Sequence, residues 1–387
     1  MTKRRGKRHS RRHDSAHQKR QSQRRLDSDL ELALQRAERS IRRGQPKKAI
    51  ALLEPLLATH PGKADLHTLL GYARTALGDL WGALSAHETA ATLRDDPLLL
   101  FPEAVLYSEL GLPMHALRVS REMIARGAAS PAMNEVRAAV AAHDRELAAT
   151  ARSLGIPVEQ VEQGLYQMEK AHRALNSGDG EPDLEAAVAA NRRAVRYLGD
   201  YPPPRNNLSQ VLFFAGRIRA AVDEVQQVLA THPDNVHALS DGIRFLSWMG
   251  REDEARAMWA RLARLVPQGP SHRLKKAEAA ASLAEHESVY QVLKPLDEPA
   301  VADESPSSIA DEVQFFLAVA EANTSRRALA RRRLQALEQS GMPLAAEYLA
   351  ALNEGKSGRG WADHFPYFHM TDLLPPQHLD ALFDLAR

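Results

Sequence analysis

A glycine followed five residues later by an alanine recurs in two runs along this chain, at a regular interval of roughly 34 residues within each run. The pairs are Gly44/Ala49, Gly78/Ala83, Gly111/Ala116, Gly216/Ala221 and Gly250/Ala255. Apolar residues spaced by three and four surround each glycine, as in LHTLLGYARTAL followed by WGALSAHETAATL. This spacing predicts two amphipathic helices per repeat, with the glycine ending the first helix. Two short helices cannot bury their apolar faces alone, so the repeats must stack on one another.

The pentapeptide Leu-Ala-Thr-His-Pro occurs twice, at 57–61 and at 229–233. The copies lie five repeat periods apart, and each proline follows the alanine of its repeat by twelve positions. Proline cannot continue a helix and restricts the residue before it. The pentapeptide therefore predicts the same helix end in two repeats rather than a duplicated binding motif.

This pattern resembles the tetratricopeptide repeat, a family built from helical hairpins of about 34 residues. In that register Gly71 is the small residue of a first helix, Gly78 the turn residue, and Ala83 and Ala90 the small residues of a second helix. The resemblance implies an all-α, right-handed superhelical solenoid of helix–turn–helix repeats. The expected units are 30–63, 64–97, 97–130, 131–164, 165–201, 202–235, 236–269, 270–304 and 305–342. The units at 131–164 and 270–304 lack the turn glycine, so their helix boundaries are the least defined.

Three segments follow from this division: an arm over 1–28, a repeat region over 29–342, and a C-terminal cap over 343–387. The arm is expected to be disordered because it is strongly basic and has no apolar periodicity. The cap is expected to be helical and aromatic-rich, with Trp361, Phe365, Tyr367 and Phe368 close together in sequence, and to cover the last repeat.

The arm carries the strongest charge signal in the sequence. Residues 1–25 contain eleven lysines or arginines and one acid, Asp14, whereas the whole chain has a net charge of only +2. Such an arm can neutralise phosphates, and without aromatic residues any binding would be independent of base sequence. An arm that only aids solubility or contacts the acidic remainder of the chain is the alternative interpretation. The candidate anion-binding residues are Lys3, Arg4, Arg5, Lys7, Arg8, Arg11, Arg12, Lys19, Arg20, Arg24 and Arg25.

Signatures of catalysis are weak in this sequence. The chain has no cysteine, which excludes thiolate nucleophiles and zinc–cysteine sites. Gly355-Lys356-Ser357 lacks the earlier glycine and the preceding strand of a phosphate-binding loop. Asp363, His364 and His369 are the only enzyme-like cluster, and packing of the aromatic turn around them is the preferred interpretation. We therefore predict a protein that is not an enzyme and that needs no cofactor or metal.

The resemblance also implies a ligand-binding groove lined by inward-facing positions of the first helices. The candidate groove residues are Thr68 and Tyr72 in the second unit, Asn206, Asn207, Gln210 and Phe213 in the sixth, and His237, Arg244 and Trp248 in the seventh. Amide side chains there can bond a peptide backbone, while Arg244 and Trp248 supply a charged and an aromatic anchor. The Lys/Asn/Lys/Arg set with which some members clamp a terminal carboxylate is not reproduced.

These observations favour an interaction scaffold that binds a protein or peptide partner in the groove. The alternative is a nucleic-acid-associated factor whose arm binds the phosphate backbone, or another polyanion, while the solenoid recruits a partner. The sequence has no apolar run near the roughly 18 residues of a membrane span and no signal peptide. A cytoplasmic location is therefore expected.

Overall fold

The computed structural model describes residues 30–176, 182–297 and 307–353, and it is these residues that are discussed below. They fold as α-helices joined by short turns and contain no strand. The helices are α1 (30–42), α2 (Pro46–Thr59), α3 (Ala64–Thr75), α4 (Leu80–Leu93), α5 (Leu100–Glu109), α6 (Pro113–Ala125), α7 (Met133–Leu154), α8 (Val158–Leu175), α9 (Leu184–Leu198), α10 (Pro202–Phe214), α11 (Ile218–Thr231), α12 (Val236–Trp248), α13 (Glu252–Leu262), α14 (Pro270–Ser282), α15 (His286–Leu293), α16 (Ser307–Ala322), α17 (Arg327–Gln339) and α18 (Pro343–Asn353).

The chain divides into two compact units. Unit 1 runs to Glu169 near the end of α8, and unit 2 contains the last residues of α8 and the helices α9–α18. Within each unit most helices pack on their neighbours in chain order, as stacked hairpins require. The arm over 1–28 and most of the predicted cap lie outside the described residues, and the three-segment division stays a prediction.

The turn glycines and the repeat alanines occupy the places that their spacing predicts. Gly78 lies in the turn after α3 at φ +79°, and Gly250 lies in the turn after α12 at φ +68°. A residue with a Cβ is strained in this left-handed region, which explains the glycine. The alanine five positions later lies fully buried where the second helix packs on the first, as at Ala83 and Ala221.

The hairpin α14–α15 turns without glycine. Ala284 lies one repeat period after Gly250 and adopts φ +56°, the one positive φ at a non-glycine among the described residues. The turn therefore keeps its geometry where its sequence signal is missing. Because alanine pays a steric cost of about 1–2 kcal/mol in this conformation, the hairpin carries local strain.

Both copies of the repeated pentapeptide end a second helix, as predicted. His60 follows the last residue of α2 and His232 the last residue of α11, with similar backbone angles. In each copy the threonine hydroxyl lies within hydrogen-bond distance of Nδ1 of the following histidine, at 2.8 Å for Thr59–His60 and 2.9 Å for Thr231–His232. The pentapeptide is a helix end used twice.

The stretch from 131 to 201 departs from the predicted units. A single helix of 22 residues, α7, occupies most of 131–164, where a hairpin of two short helices was expected. It ends at Gly155 at φ +67°, and α8 begins at Val158, ahead of the expected unit boundary at 165. The sequence of α7 contains no glycine and no proline to interrupt it, so the helix continues past the length of a repeat helix.

A carboxylate from α8 caps the start of α6. Glu169 accepts hydrogen bonds from the backbone N–H groups of Met114 (2.6 Å) and His115 (2.9 Å), and lies 2.7 Å from Nδ1 of the His115 ring. Glu169 is 55 and 54 positions along the chain from these two residues, and all three are buried. The carboxylate satisfies donors that a helix start leaves free and is favoured there by the helix dipole.

Candidate functional site

The repeat period places one position of successive first helices in a row, and this row differs between the two units. In unit 1 the position is held by Glu38, Tyr72 and Val105, each about one repeat period after the last. In unit 2 it is held at the same interval by Gln210, Arg244, Glu278 and Glu312. The predicted groove residues Tyr72, Gln210 and Arg244 are members of this row.

In unit 2 the row is joined by hydrogen bonds into a continuous network across α10, α12 and α14. Gln210 donates to Asp241 at 2.9 Å, and Arg244 donates to Asp241 at 3.4 Å and to Glu278 at 3.0 Å. Lys275 donates to both carboxylate oxygens of Glu278, at 3.0 and 2.8 Å. We call these five residues the unit 2 ladder.

The unit 2 ladder is largely withdrawn from solvent. The exposed fraction of the side chain is 0% for Asp241, 13% for Arg244 and 10% for Glu278. Breaking such a network leaves an uncompensated buried charge, which is costly. The guanidinium of Arg244, predicted as an anchor for a ligand, is therefore already committed to two carboxylates of the protein itself.

The electrostatics of the ladder match this internal pairing. Burial alone would raise the pKa of Glu278, but the adjacent Lys275 and Arg244 hold it below its ordinary value. Burial raises the pKa of Asp241 and outweighs the same two cations. Burial and the neighbouring carboxylate of Glu278 raise the pKa of Glu312, the next member of the row. Both cations of the unit 2 ladder, Lys275 and Arg244, are thus bonded to carboxylates of the ladder itself.

Unit 1 presents a different surface at the equivalent place. Tyr72 is 45% exposed and Val105 is 40% exposed, on helices that bury large apolar side chains such as Leu70 and Leu106. Thr68 lies one turn before Tyr72 and donates its hydroxyl to the carbonyl of Ala64. We call Thr68, Tyr72 and Val105 the unit 1 face.

A buried histidine packs against Tyr72 of this face. His87 on α4 is 1% exposed, and its ring contacts the Tyr72 ring edge-on at a centroid distance of 5.0 Å. Neither ring nitrogen has a hydrogen-bond partner among the described residues. Burial lowers the pKa of His87 to about 4. Gly71 makes room for the ring, since a Cβ at that position would overlap the imidazole.

The other predicted groove residues have mixed placements. Phe213 does not line an exposed groove: it is 1% exposed and stacks on Phe245 at a centroid distance of 4.5 Å, because this position of α10 faces the core of unit 2. Trp248 is partly buried and packs edge-on against Phe213. Asn206 is buried and donates to Asn235, whose side chain caps α12.

Two more groove candidates have some access to solvent. Asn207 is exposed on α10. His237 is half-buried, with its ring 5.7 Å from that of His272, and burial together with Lys275 lowers its pKa. Whether any of the nine groove candidates binds a ligand stays a prediction.

Sequence reasoning missed Asp241, Lys275 and Glu278, although these residues determine what the groove of unit 2 can do. The signal was present, because continuing the repeat period from Arg244 reaches Glu278 and then Glu312. Their partners could not be read from the same period, since pairing depends on how neighbouring helices pack.

Other candidate sites fall outside the described residues. These are the eleven basic residues of the arm, the segment at 355–357, and the cluster of Asp363, His364 and His369. Within 30–176, 182–297 and 307–353 no group of three or more histidines and acids is placed to hold a metal ion. No helix in those ranges is both long and apolar enough to cross a membrane.

Comparison with known proteins gives structural likeness only. No protein-family model matches the chain, and none of the curated proteins matches it. A tetratricopeptide repeat protein from Parabacteroides merdae is similar at 12% identity and a TM-score of 0.36, covering 84% of this chain and 98% of that chain. Yeast Tom70 is similar at 11% identity and a TM-score of 0.36, covering 93% and 95%. The TPR2AB domain of yeast Sti1, in its pHSP90 complex, is similar at 14% identity and a TM-score of 0.28, covering 70% and 99%.

These values are too low to carry residue positions from one chain to another, so the fold type rests on the geometry of the chain itself. The regular spacing of the glycine–alanine pairs, the turn glycines with positive φ, the buried alanines and the stacked hairpins all agree. The described residues form an all-α array of helix–turn–helix repeats of the tetratricopeptide type.

Proposed function

We propose that this protein is a non-catalytic interaction scaffold, and that it binds an extended protein segment on the unit 1 face. The observation that carries the proposal is the contrast at one repeat position. Unit 2 fills it with side chains such as Arg244 and Glu278, which bond to each other, whereas unit 1 leaves Tyr72 and Val105 exposed. Exposed apolar and aromatic residues grouped on a helical surface are typical of places where a partner docks.

The chemistry of the unit 1 face limits what it can bind. Tyr72 and Val105 offer apolar contact area, and the phenol adds one hydrogen-bonding group. The nearby acid Asp65 is paired with Arg94 at 2.6 Å, so it is not a strong anchor for a basic ligand. An extended segment with apolar side chains at alternate positions fits this surface better than one recognised by its charge.

Selection from a random peptide display library, with full-length protein as bait, tests this proposal. We expect enriched peptides with apolar anchors, and weaker binding by about tenfold or more when Val105→Asp puts a charge against them. The matched control is Leu93→Asp at the end of α4, because Leu93 is 42% exposed but lies outside the unit 1 face. Failure to enrich any peptide, or equal effects of the two substitutions, would contradict the proposal.

A further inference from the structure

The first helix has a solvent face made of arginine. Arg36 and Arg39 on α1 are exposed, and so is Arg43 directly after it, whose N–H still bonds to the carbonyl of Arg39. The three follow the spacing of three and four that places residues on one side of a helix. Leu30, Leu34 and Ala37 on the other side pack into the core of unit 1. The helix is therefore anchored by its apolar side and presents a stripe of three cations to solvent.

The stripe continues into the next helix. Lys47 and Lys48 are exposed in the first turn of α2, directly after the turn that Arg43 begins. Residues 36–48 contain six lysines or arginines and one acid, Glu38. That acid is bonded to Arg42 at 2.6 Å, so it does not neutralise the stripe. Among the described residues no carboxylate lies within ion-pair distance of Arg36, Arg39 or Arg43.

The stripe has dimensions and a location that suit a phosphate backbone. Arg36 and Arg43 are seven positions apart, which is about 10 Å along a helix and comparable to three steps of a duplex at about 3.4 Å each. The described part of α1 begins at Leu30, shortly after the basic segment 1–25 ends. The start of α2 adds a favourable helix dipole, and Gln45 before it makes no capping bond with its side chain.

The geometry points to a nucleic-acid-binding surface on the α1–α2 hairpin, formed by Arg36, Arg39, Arg43, Lys47 and Lys48. It contacts the phosphate backbone without reading base sequence, because it has cations and no aromatic residue to stack on bases. A membrane fits less well. Interfacial helices bury an apolar face in lipid, and the apolar face of α1 is already packed in unit 1.

Fluorescence anisotropy with a short labelled DNA duplex of arbitrary sequence tests this inference on the full chain. The variant is Arg36→Gln/Arg39→Gln/Arg43→Gln. The control is Arg192→Gln/Arg196→Gln/Arg219→Gln, which removes the same charge from unit 2. Binding is measured between about 50 and about 200 mM salt, where backbone contacts lose affinity steeply.

We expect the wild type to bind with a steep salt dependence. We expect the α1 variant to lower the slope of log affinity against log salt by about 2–3, since each lost phosphate contact removes about 0.9. The control triple should leave the slope unchanged. Circular dichroism of both variants checks that the substitutions leave the helices intact.

Three results would overturn the inference. The first is no duplex binding by the wild type at the lower salt concentration. The second is an equal change of slope in both triple variants, which would indicate net charge rather than a site. The third is that phosphatidylserine–phosphatidylcholine vesicles or poly-glutamate bind as well as the duplex and depend equally on the α1 arginines. The unit 1 face is tested by separate variants, so these outcomes do not bear on the peptide proposal.

Discussion

The two units use one repeat position in opposite ways. In unit 2 it carries Gln210, Arg244 and Glu278: Arg244 bonds to Glu278 and to Asp241, and Gln210 bonds to Asp241, which leaves little surface for a partner. In unit 1 it carries Tyr72 and Val105, which are exposed, and the Tyr72 ring contacts the buried ring of His87. A shared register therefore predicts where a side chain lies on the repeat, but not whether it is free to contact a binding partner. The partners of that side chain decide availability.

Removing one partner of the unit 2 ladder should have the largest effect on stability. Glu278→Ala removes the carboxylate that Lys275 bonds to and leaves Arg244 with only Asp241, at 3.4 Å, in a mostly buried place. We expect it to lower the free energy of unfolding by about 3–5 kcal/mol. Val105→Ala at the exposed position of unit 1 should change it by less than about 0.5 kcal/mol. Urea unfolding followed by circular dichroism measures both. Similar costs for the two variants would mean that the two surfaces are not different in kind.

A second test concerns the histidine beneath the unit 1 face. The folded state lowers the pKa of His87 to about 4, below the ordinary value of about 6.5, so folding favours the neutral ring. Stability from this group is fully present above pH 6.5 and is lost as pH falls towards 4, by up to about 3 kcal/mol. His87→Leu should flatten the fall in urea midpoint between neutral and acidic pH. A pH dependence identical to that of the wild type would show that His87 is not responsible.

The smallest expected effects come from the turns that follow the row in each unit. Gly78 lies six positions after Tyr72, and Ala284 lies six positions after Glu278, both with positive φ. We expect Gly78→Ala to destabilise the protein by about 1 kcal/mol and Ala284→Gly to stabilise it by about the same amount. Thermal unfolding of the two variants gives the signs directly. Two changes of the same sign would contradict the equivalence of the turns.

Much of the fold was predictable because its signals are local. A turn that requires a left-handed residue selects glycine, and a close crossing of helices selects alanine, so Gly250 and Ala255 could be placed from spacing alone. The turn at Ala284 could not be placed in this way, because the chain adopts a positive φ there without the glycine that such a turn prefers. The length of α7 was not predicted, because the repeat period indicates two short helices there. The sequence contains no residue that ends a helix before Gly155, so one long helix forms instead.

The repeat register indicates which positions form a row, but not whether a side chain in that row is exposed, buried or already bonded. The family register selected Tyr72, which is exposed, and also Phe213, which the core of unit 2 buries. The register could not indicate that Arg244 is held by Asp241 and Glu278, because one partner is on the same helix and the other a whole repeat away. Such pairing depends on helix packing and rotamers, for which a single sequence has no local signal.

The capping of α6 by Glu169 has a consequence for how unit 1 folds. An array of stacked hairpins gains its contacts from neighbours and can grow from any point. This carboxylate instead requires a contact between distant parts of the chain, with the whole of α7 between the two partners. Closing so large a loop costs entropy before the contact forms, which slows folding and joins the helices on either side into one cooperative block. Chains shortened before α8 would therefore lose the carboxylate that caps α6, and a fragment of unit 1 has to extend past Glu169 to keep it.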